Sequence, residues 1–306
     1  MSEIKIEFEA SFIEEGIFYM MKDREDKEGE NSVSSYHRER NRIYEEFTGR
    51  ERDAAFQKFY KGIFASLGCD DQIRTICEEF KMLTKPKIRI LVRNVAIQKH
   101  EGAELFWSGS DMTVLVSFQA IRLTEPDSLS AFLYHEIMHV SDMLDPKFVY
   151  SPHPDLGGRS DLENQLIRER FRILWDLYVA ARLIKKGIPS LISLEKQKEY
   201  FNKAFSLWHN DKRNTIWESI SRGHCYTQND LLRFSKDERL LEDLGKGGLR
   251  CPICEFSSFD PVLDWDEQNA PVIEQIRKDY PAWRSEAGVC QQCFDLYSSR
   301  LKMVSS

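Results

Sequence analysis

Two histidines and a glutamate stand in the chain at a spacing that suits metal chemistry. His135 and His139 are four residues apart, and Glu136 directly follows the first of them. On an α-helix, side chains four residues apart lie one above the other, so the two imidazoles would share a face. Two imidazoles placed in this way can hold one zinc ion, and Glu136 beside them can take a proton from a water molecule.

The residues around this motif predict the helix that it needs. Asp127 or Ser128 can cap the start of such a helix, and Pro146 cannot continue it. Its buried face would consist of the apolar residues Phe132, Leu133, Ile137, Met138 and Val140. The alternative is a helix in which the two histidines only form hydrogen bonds and Glu136 is solvated.

The motif, written H-E-x-x-H, resembles the zinc-binding motif of the zincin metallopeptidase superfamily. The resemblance implies a zincin-like domain in which His135 and His139 bind zinc and Glu136 is the general base of peptide hydrolysis. Asp145 stands where the metzincin branch has its last ligand, but that branch needs a glycine where this chain has Asp142. The gluzincin branch, which takes its third ligand from a later helix, is therefore the better match.

The same segment also looks like the corresponding stretch of the Mlc-titration-factor gluzincins, whose pattern is roughly H-E-F-x-H-x-L-D. This chain has Ile137 for the phenylalanine and Ser141 for the leucine. In that family the third ligand is a glutamate much further along the chain, which points here to Glu195 or Glu199. The resemblance supports a class of protein rather than a substrate.

A catalytic zinc usually takes three protein ligands and leaves a fourth position open. We expect Asp176 to be the third ligand, because it lies in an otherwise apolar run of a predicted helix. An unpaired charge in such a place would cost on the order of several kcal/mol, which zinc would offset. The alternative for Asp176 is an ion pair with Arg172, four residues earlier, or with Arg182.

Other carboxylates compete for this role. Glu169 lies two turns before Asp176 on the same helical face, and Glu199 follows from the family resemblance. Asp142 comes three residues after His139 and shares the face of the histidines. Its short side chain is better suited to hydrogen-bond a ligand imidazole and fix its tautomer. The sequence leaves the third ligand open among these residues.

Four of the seven cysteines form a second group near the carboxyl end. Cys251 and Cys254 make one C-x-x-C pair, and Cys290 and Cys293 make another. Each pair can present two thiolates to one ion, and two pairs complete a closed tetrahedral site. The first pair resembles a zinc-ribbon knuckle, which predicts a structural zinc that offsets the small apolar core of this region. A redox or iron–sulfur role is the alternative.

The remaining pattern predicts an α+β, mostly α protein with three regions. Residues 1–85 form an amino-terminal helical region, in which a charged stretch from Lys22 to Ser35 predicts a loop. Residues 86–245 begin with three strands ahead of the motif helix and form the zincin-like domain. The strand from Ala103 to Trp107 is our candidate for an edge strand that holds an extended peptide. Residues 246–306, after a glycine-rich linker, form the zinc-ribbon-like module.

Composition limits the class of protein and its partners. The chain has 306 residues, of which 42% are hydrophobic and 30% charged, as expected of a soluble globular protein. Its net charge of −7 disfavours nucleic acid, which calls for a basic face. No apolar run is long enough to span a membrane. The amino terminus lacks a signal-peptide pattern, and the C-x-x-C pairs suit a reducing compartment, so a cytoplasmic location is predicted.

These features predict a zinc metallopeptidase with one catalytic and one structural zinc ion. Its expected substrate is a peptide or protein, hydrolysed by a water that zinc acidifies and Glu136 deprotonates. The alternative is a zincin-fold regulatory or binding protein without turnover, which uses its zinc ribbon to contact protein or nucleic acid. The intact Glu136 favours the enzyme. Cleavage specificity and oligomeric state do not follow from the sequence.

Overall fold

The computed structural model of the protein describes residues 4–85, 87–158, 160–206, 208–222, 225–236, 249–258, 261–262, 265 and 269–304. These residues form an α+β, mostly helical protein, as the sequence predicts. The chain divides into two compact units, Met1–Tyr150 with Lys186–Leu191, and Ser151–Lys185 with Ile192–Ser306. Among the described residues, no helix is long and apolar enough to cross a membrane.

The first unit combines a sheet with helices in its described residues. Its strands are β1 (Lys5–Phe8), β2 (Ile88–Asn94), β3 (Gly102–Ser108) and β4 (Asp111–Phe118). Its helices are α1 (Ala10–Glu28), α2 (Ser34–Glu46), α3 (Gly49–Ser66), α4 (Asp71–Glu79) and α5 (Pro126–Leu144). The three strands that the sequence predicts ahead of the motif helix are confirmed as β2, β3 and β4.

The sheet has the strand order β1-β2-β4-β3. β2 is parallel to both β1 and β4, while β3 is antiparallel to β4 and lies at the edge. The end of β4 carries the fully buried Phe118. Its ring centroid lies 5.0 Å from that of Phe12 on α1 and 5.6 Å from that of Phe132 on α5. These aromatic contacts fix α5, the helix with the histidine motif, against the sheet.

The charged stretch from Lys22 to Ser35 is helical, so the predicted loop is wrong. α1 continues to Glu28, and Gly29 ends it with a φ of 86°. The charges that indicated a loop form exposed ion pairs four residues apart, Arg24 with Glu28 and Lys27 with Asp23. Such pairs stabilise a helix by roughly 0.2–0.5 kcal/mol each. The charge run is therefore the solvated face of a helix.

Strand β1 is missing from the prediction, and it changes how the first unit is built. It pairs in parallel with β2, with Ile6 opposite Ile90. Because β1 lies within residues 1–85 and β2 within residues 86–245, one sheet joins segments from both sides of that predicted boundary. The three-region division stays a prediction about which segments fold independently.

The described residues of the second unit form helices and two short antiparallel ladders. Its helices are α6 (Asp161–Lys185), α7 (Leu194–Ala204), α8 (Asn210–Ser221), α9 (Gln228–Lys236), α10 (Ala270–Asp279) and α11 (Gln291–Val304). The ladders pair β5 (Leu249–Arg250) with β6 (Ser257–Ser258) and β7 (Pro261–Val262) with β8 (Val289–Cys290). The predicted glycine-rich linker at residues 245–248 lies outside the described residues.

Candidate metal centres

Prolines mark both ends of α5, the helix that carries the histidine motif. Pro126 occupies its first turn, where a backbone N–H would have no helical partner. Asp127 and Ser128, the caps predicted from the sequence, lie inside the helix instead, and no side chain caps its start. The helix ends at Leu144, two residues before Pro146, as predicted.

His135 and His139 are buried on one face of α5, with 5% and 9% of their surfaces exposed. Their Nε2 atoms lie 3.3 Å apart, and the ring planes meet at 73°. Two nitrogens bound to one tetrahedral zinc, each at about 2.0–2.1 Å, would be separated by about 3.3 Å. The pair therefore has the geometry of two ligands of one ion, and also that of a hydrogen bond between neutral imidazoles.

Glu136 is half-buried, and its carboxylate reaches the first residues of β3. Its Oε2 atom accepts a hydrogen bond of 3.0 Å from the backbone N–H of Ala103. This N–H therefore faces away from β4. Because such groups alternate along an antiparallel strand, the N–H groups of Leu105 and Trp107 face the same way. The Glu136 carboxylate is thus held at the open edge of the sheet.

The prediction that Ala103 to Trp107 forms an edge strand is confirmed. Phe106 and Trp107 are each 50% exposed, although large aromatic side chains are usually buried. An edge strand with outward N–H and C=O groups can pair with an added extended chain. Whether a peptide binds there stays a prediction.

Asp176, the expected third ligand, lies on α6 in the second unit, half-buried within a stretch of buried residues. Arg172, one of its two alternative ion-pair partners, is exposed and takes part in none of the ion pairs found among the described residues. Arg182, the other, places its guanidinium carbon 3.8 Å from the centroid of the Tyr178 ring.

Burial separates the remaining carboxylates that compete for the role of third ligand. Glu169, Glu195 and Glu199 are exposed. Asp142 is only 5% exposed and lies on α5 one turn after His139. A ligand of a buried ion must itself leave solvent, so exposure disfavours the three glutamates.

The four paired cysteines come together in the second unit as a buried cluster. Their side chains are unbridged, and Cys251, Cys254, Cys290 and Cys293 are 3%, 6%, 0% and 5% exposed. Their Sγ atoms all lie within 4.8 Å of one another, so the group could hold a metal ion. The Sγ atoms of Cys254 and Cys290 are 3.6 Å apart. Two sulfurs on one tetrahedral zinc, each at about 2.3 Å, would be about 3.8 Å apart.

Backbone hydrogen bonds place these thiols and suit their ionised form. The N–H of Glu255 donates to the carbonyl oxygen of Cys251 at 2.8 Å and closes the turn between the first two cysteines. The N–H of Cys290 donates to the Cys251 Sγ at 3.3 Å, and the N–H of Cys293 donates to the Cys290 Sγ at 3.4 Å. Donors aimed at sulfur stabilise a thiolate, which is the form that binds metal.

The cluster resists complete ionisation by itself. Hydrogen bonds with Cys251, Cys254 and Cys290 raise the pKa of Cys293, and burial raises it further. A cation at the centre would compensate the negative charge that four thiolates bring together. The donor set therefore fits a soft divalent ion such as zinc.

Two further residues at or near the cysteine cluster did not stand out in the sequence. Glu255, directly after the first pair, has a φ of 61°, a conformation that usually favours glycine. Arg170 on α6 is 2% exposed, and its guanidinium carbon lies 5.3 Å from the ring centroids of both Phe205 and Phe256. Because the Phe256 carbonyl accepts the Cys251 N–H and closes the knuckle turn, Arg170 joins that turn to the helices of the second unit. The sequence feature that could have indicated Arg170 is the presence of an arginine within an apolar helix face.

Comparison with models of protein families, with curated proteins and with solved structures gives no match for this chain. The interpretation of both centres therefore depends on their own geometry and chemistry.

Proposed function

We propose that the protein is a zinc-dependent metallopeptidase of the zincin type, similar to gluzincins, with Glu136 as general base. The observation that carries the proposal is the 3.3 Å separation of the His135 and His139 Nε2 atoms, which suits two ligands of one zinc. Asp176 is the proposed third ligand, because it places a half-buried carboxylate within a buried stretch of α6, and a carboxylate oxygen is an ordinary zinc ligand. Asp142 is the alternative.

Zinc at these residues would supply Lewis acidity, which acidifies a water at the site and polarises the scissile carbonyl. Glu136 takes the proton of the attacking water and returns it to the leaving amine. The Ala103 N–H holds one carboxylate oxygen in place at 3.0 Å. The second oxygen is left to act as the base. Because the carboxylate is already oriented, little further conformational freedom is lost when it takes the proton.

The edge of β3 supports a peptide or protein substrate for the same site. An extended segment can add to this edge through the outward N–H and C=O groups of Leu105 and Trp107. The exposed rings of Phe106 and Trp107 offer apolar surface to its side chains. A sheet that ends in an antiparallel edge strand beside the motif helix also supports a zincin-like arrangement of the first unit.

The proposed role of the four-cysteine cluster is to hold a structural zinc. All four thiols are buried and the donor set is closed, whereas a catalytic zinc keeps an open position. Reduced thiols of this kind also favour a reducing location such as the cytoplasm.

The rival function is a zincin-fold regulatory or binding protein without turnover, which uses the four-cysteine module to contact protein or nucleic acid. The Glu136 carboxylate, held by the Ala103 N–H, favours the enzyme, because a protein without turnover has no need of a general base next to the first histidine. Nucleic acid is also disfavoured by the net charge of −7.

Glu136→Gln tests the proposed function by hydrolysis of unfolded casein by the zinc-loaded full chain. Glutamine can still accept the Ala103 N–H bond but cannot take a proton, so hydrolysis should fall by roughly 10²–10⁴-fold. Zinc content and melting temperature should stay the same. Glu51→Gln, an exposed change on α3, is the control and should keep full activity. Hydrolysis at the wild-type rate by Glu136→Gln would refute the mechanism, and an inactive wild type would favour the rival.

A further inference from the structure

A largely buried ion pair lies close to the motif helix, and the proposed reaction does not involve it directly. Arg122, on the turn between β4 and α5, donates from Nε to the Glu101 Oε1 at 2.8 Å and from Nη2 to Oε2 at 2.6 Å. The two side chains are 13% and 5% exposed. Burying two charges is unfavourable unless the two groups are well aligned and hydrogen-bonded. Such a pair is often retained for the geometry that it specifies.

Arg122 also contacts α5. Its Nη1 donates to the Ser128 Oγ at 2.8 Å, and its guanidinium carbon lies 4.9 Å from the centroid of the Phe132 ring. Ser128, Phe132 and Glu136 follow one another at intervals of four residues, so they lie along one stripe of the helix. Arg122 thus contacts Ser128 and Phe132, the first two residues of this stripe. The third residue is Glu136, the proposed base.

Glu101 holds the start of β3 at the other end of the ion pair. Its Oε1 atom also accepts the backbone N–H of Gln119 at 3.1 Å, which joins it to the residue after β4. Two residues later, the Ala103 N–H donates to Glu136. The Ser128–Arg122–Glu101 contacts and the Glu136–Ala103 hydrogen bond therefore join α5 to the start of β3 at two adjacent points.

We propose that Arg122 and Glu101 are positioning residues that hold the Ala103 N–H in place for Glu136. The inference rests on the proposed role of Glu136 as base. The pair acts through the strand: Glu101 fixes where β3 begins, and Arg122 fixes that point against α5. The Glu136 carboxylate is then oriented before substrate arrives, which lowers the cost of reaching the reactive geometry.

Hydrogen exchange of the Ala103 amide in the zinc-loaded full chain tests this without relying on activity. In Glu101→Gln, the amide should exchange about tenfold faster, because a hydrogen bond to a charged group loses its alignment. Ser128→Ala, which removes the hydrogen bond of Arg122 to α5 and leaves its contact with the Phe132 ring, should change exchange in the same direction. Exchange of the Ile90 amide in the central strand β2 reports global opening and should stay constant in Ser128→Ala.

Arg93→Met is the matched control, because Arg93 donates to the Ser117 Oγ at 2.8 Å on the same sheet without a link to Glu136. It should leave Ala103 exchange unchanged. In casein hydrolysis, Ser128→Ala should lower kcat with KM unchanged, since the substrate-binding edge is intact. Ala103 exchange at the wild-type rate in Ser128→Ala would overturn the inference, even in an active enzyme. An inactive wild type would refute the proposed function, while the exchange rates would still decide the positioning role.

Discussion

At the scale of single residues, the spacing along the chain determines the positions of the two histidines more fully than those of the carboxylates around them. His135 and His139 converge because four residues make about one helical turn, and their Nε2 atoms meet at 3.3 Å. Glu136, one position along, faces a different neighbour and hydrogen-bonds Ala103 instead. A base beside a metal site needs this divergence, since the same side chain cannot both bind the ion and take a proton.

Asp176→Asn tests the third ligand at the same scale. A neutral amide is a poorer ligand than a carboxylate, so zinc affinity at the histidine site should fall. We expect a loss of at least the roughly 10–100-fold that removal of an outer-shell partner causes. Zinc stoichiometry should drop from two equivalents towards one, while the melting transition of the second unit persists.

Glu169→Gln is the control for that measurement, because Glu169 is an exposed carboxylate on the same helix. It should keep both equivalents of zinc. Full zinc occupancy in Asp176→Asn would remove Asp176 from the site and leave Asp142 as the buried alternative.

At the scale of elements, the contact between β3 and α5 depends on the Glu101 carboxylate, whose protonation makes the stability of the fold depend on pH. Burial acts to raise the pKa of Glu101, but hydrogen bonds from Arg122 and from the Gln119 N–H hold it below its usual value. A carboxyl group with a lower pKa in the folded state adds stability above its unfolded pKa. That stability is lost as pH falls through the folded pKa.

The free energy of unfolding should therefore decrease as pH falls below about 4.5, the ordinary range of a glutamate. In Glu101→Gln this part of the decrease is absent. The free energy of unfolding of the variant should therefore be lower at neutral pH and should fall less steeply with acid. Urea unfolding over a series of acid pH values measures both. Glu104→Gln, exposed on β3, should show the same pH dependence of stability as the wild type. The same pH dependence in Glu101→Gln and wild type would contradict the expectation.

At the scale of the whole molecule, each compact unit carries its own group of candidate ligands. The first unit holds the histidine pair and the edge strand, and the second holds the closed cysteine cluster. Within the second unit, Arg170 joins the knuckle to the helices through Phe256, so removing an ion from the cysteine cluster is expected to loosen this packing.

Two zinc ions per chain, released at different chelator strengths, are the expected outcome at this scale. A chelator should strip the histidine site first, because a closed thiolate site binds more tightly and is coupled to folding. Cys251→Ala should retain one equivalent and unfold more easily, whereas His135→Ala should retain one equivalent with its cysteine module intact. Zinc analysis with thermal melting measures both, and at most one equivalent in carefully reduced wild-type protein would contradict the prediction.

The sequence by itself determined the features that depend on near neighbours. The helix of the histidine motif, the strands β2, β3 and β4, and the two cysteine pairs follow from residue spacing, since helices and strands have fixed periods. Residues within one turn or one pair have little freedom once the element is known. The same local patterns failed for the Lys22 to Ser35 stretch, where exposed ion pairs on a helix look like a solvated loop.

Only the tertiary structure decided which distant residues meet. Strand β1 pairs with a segment far along the chain. Glu136 finds its partner in Ala103, and Arg122 finds Glu101. The exposure of Glu169, Glu195 and Glu199 was likewise invisible in the sequence. Contacts between distant residues depend on how whole elements pack, and elements pack by shape and buried area rather than by a periodic pattern in the chain.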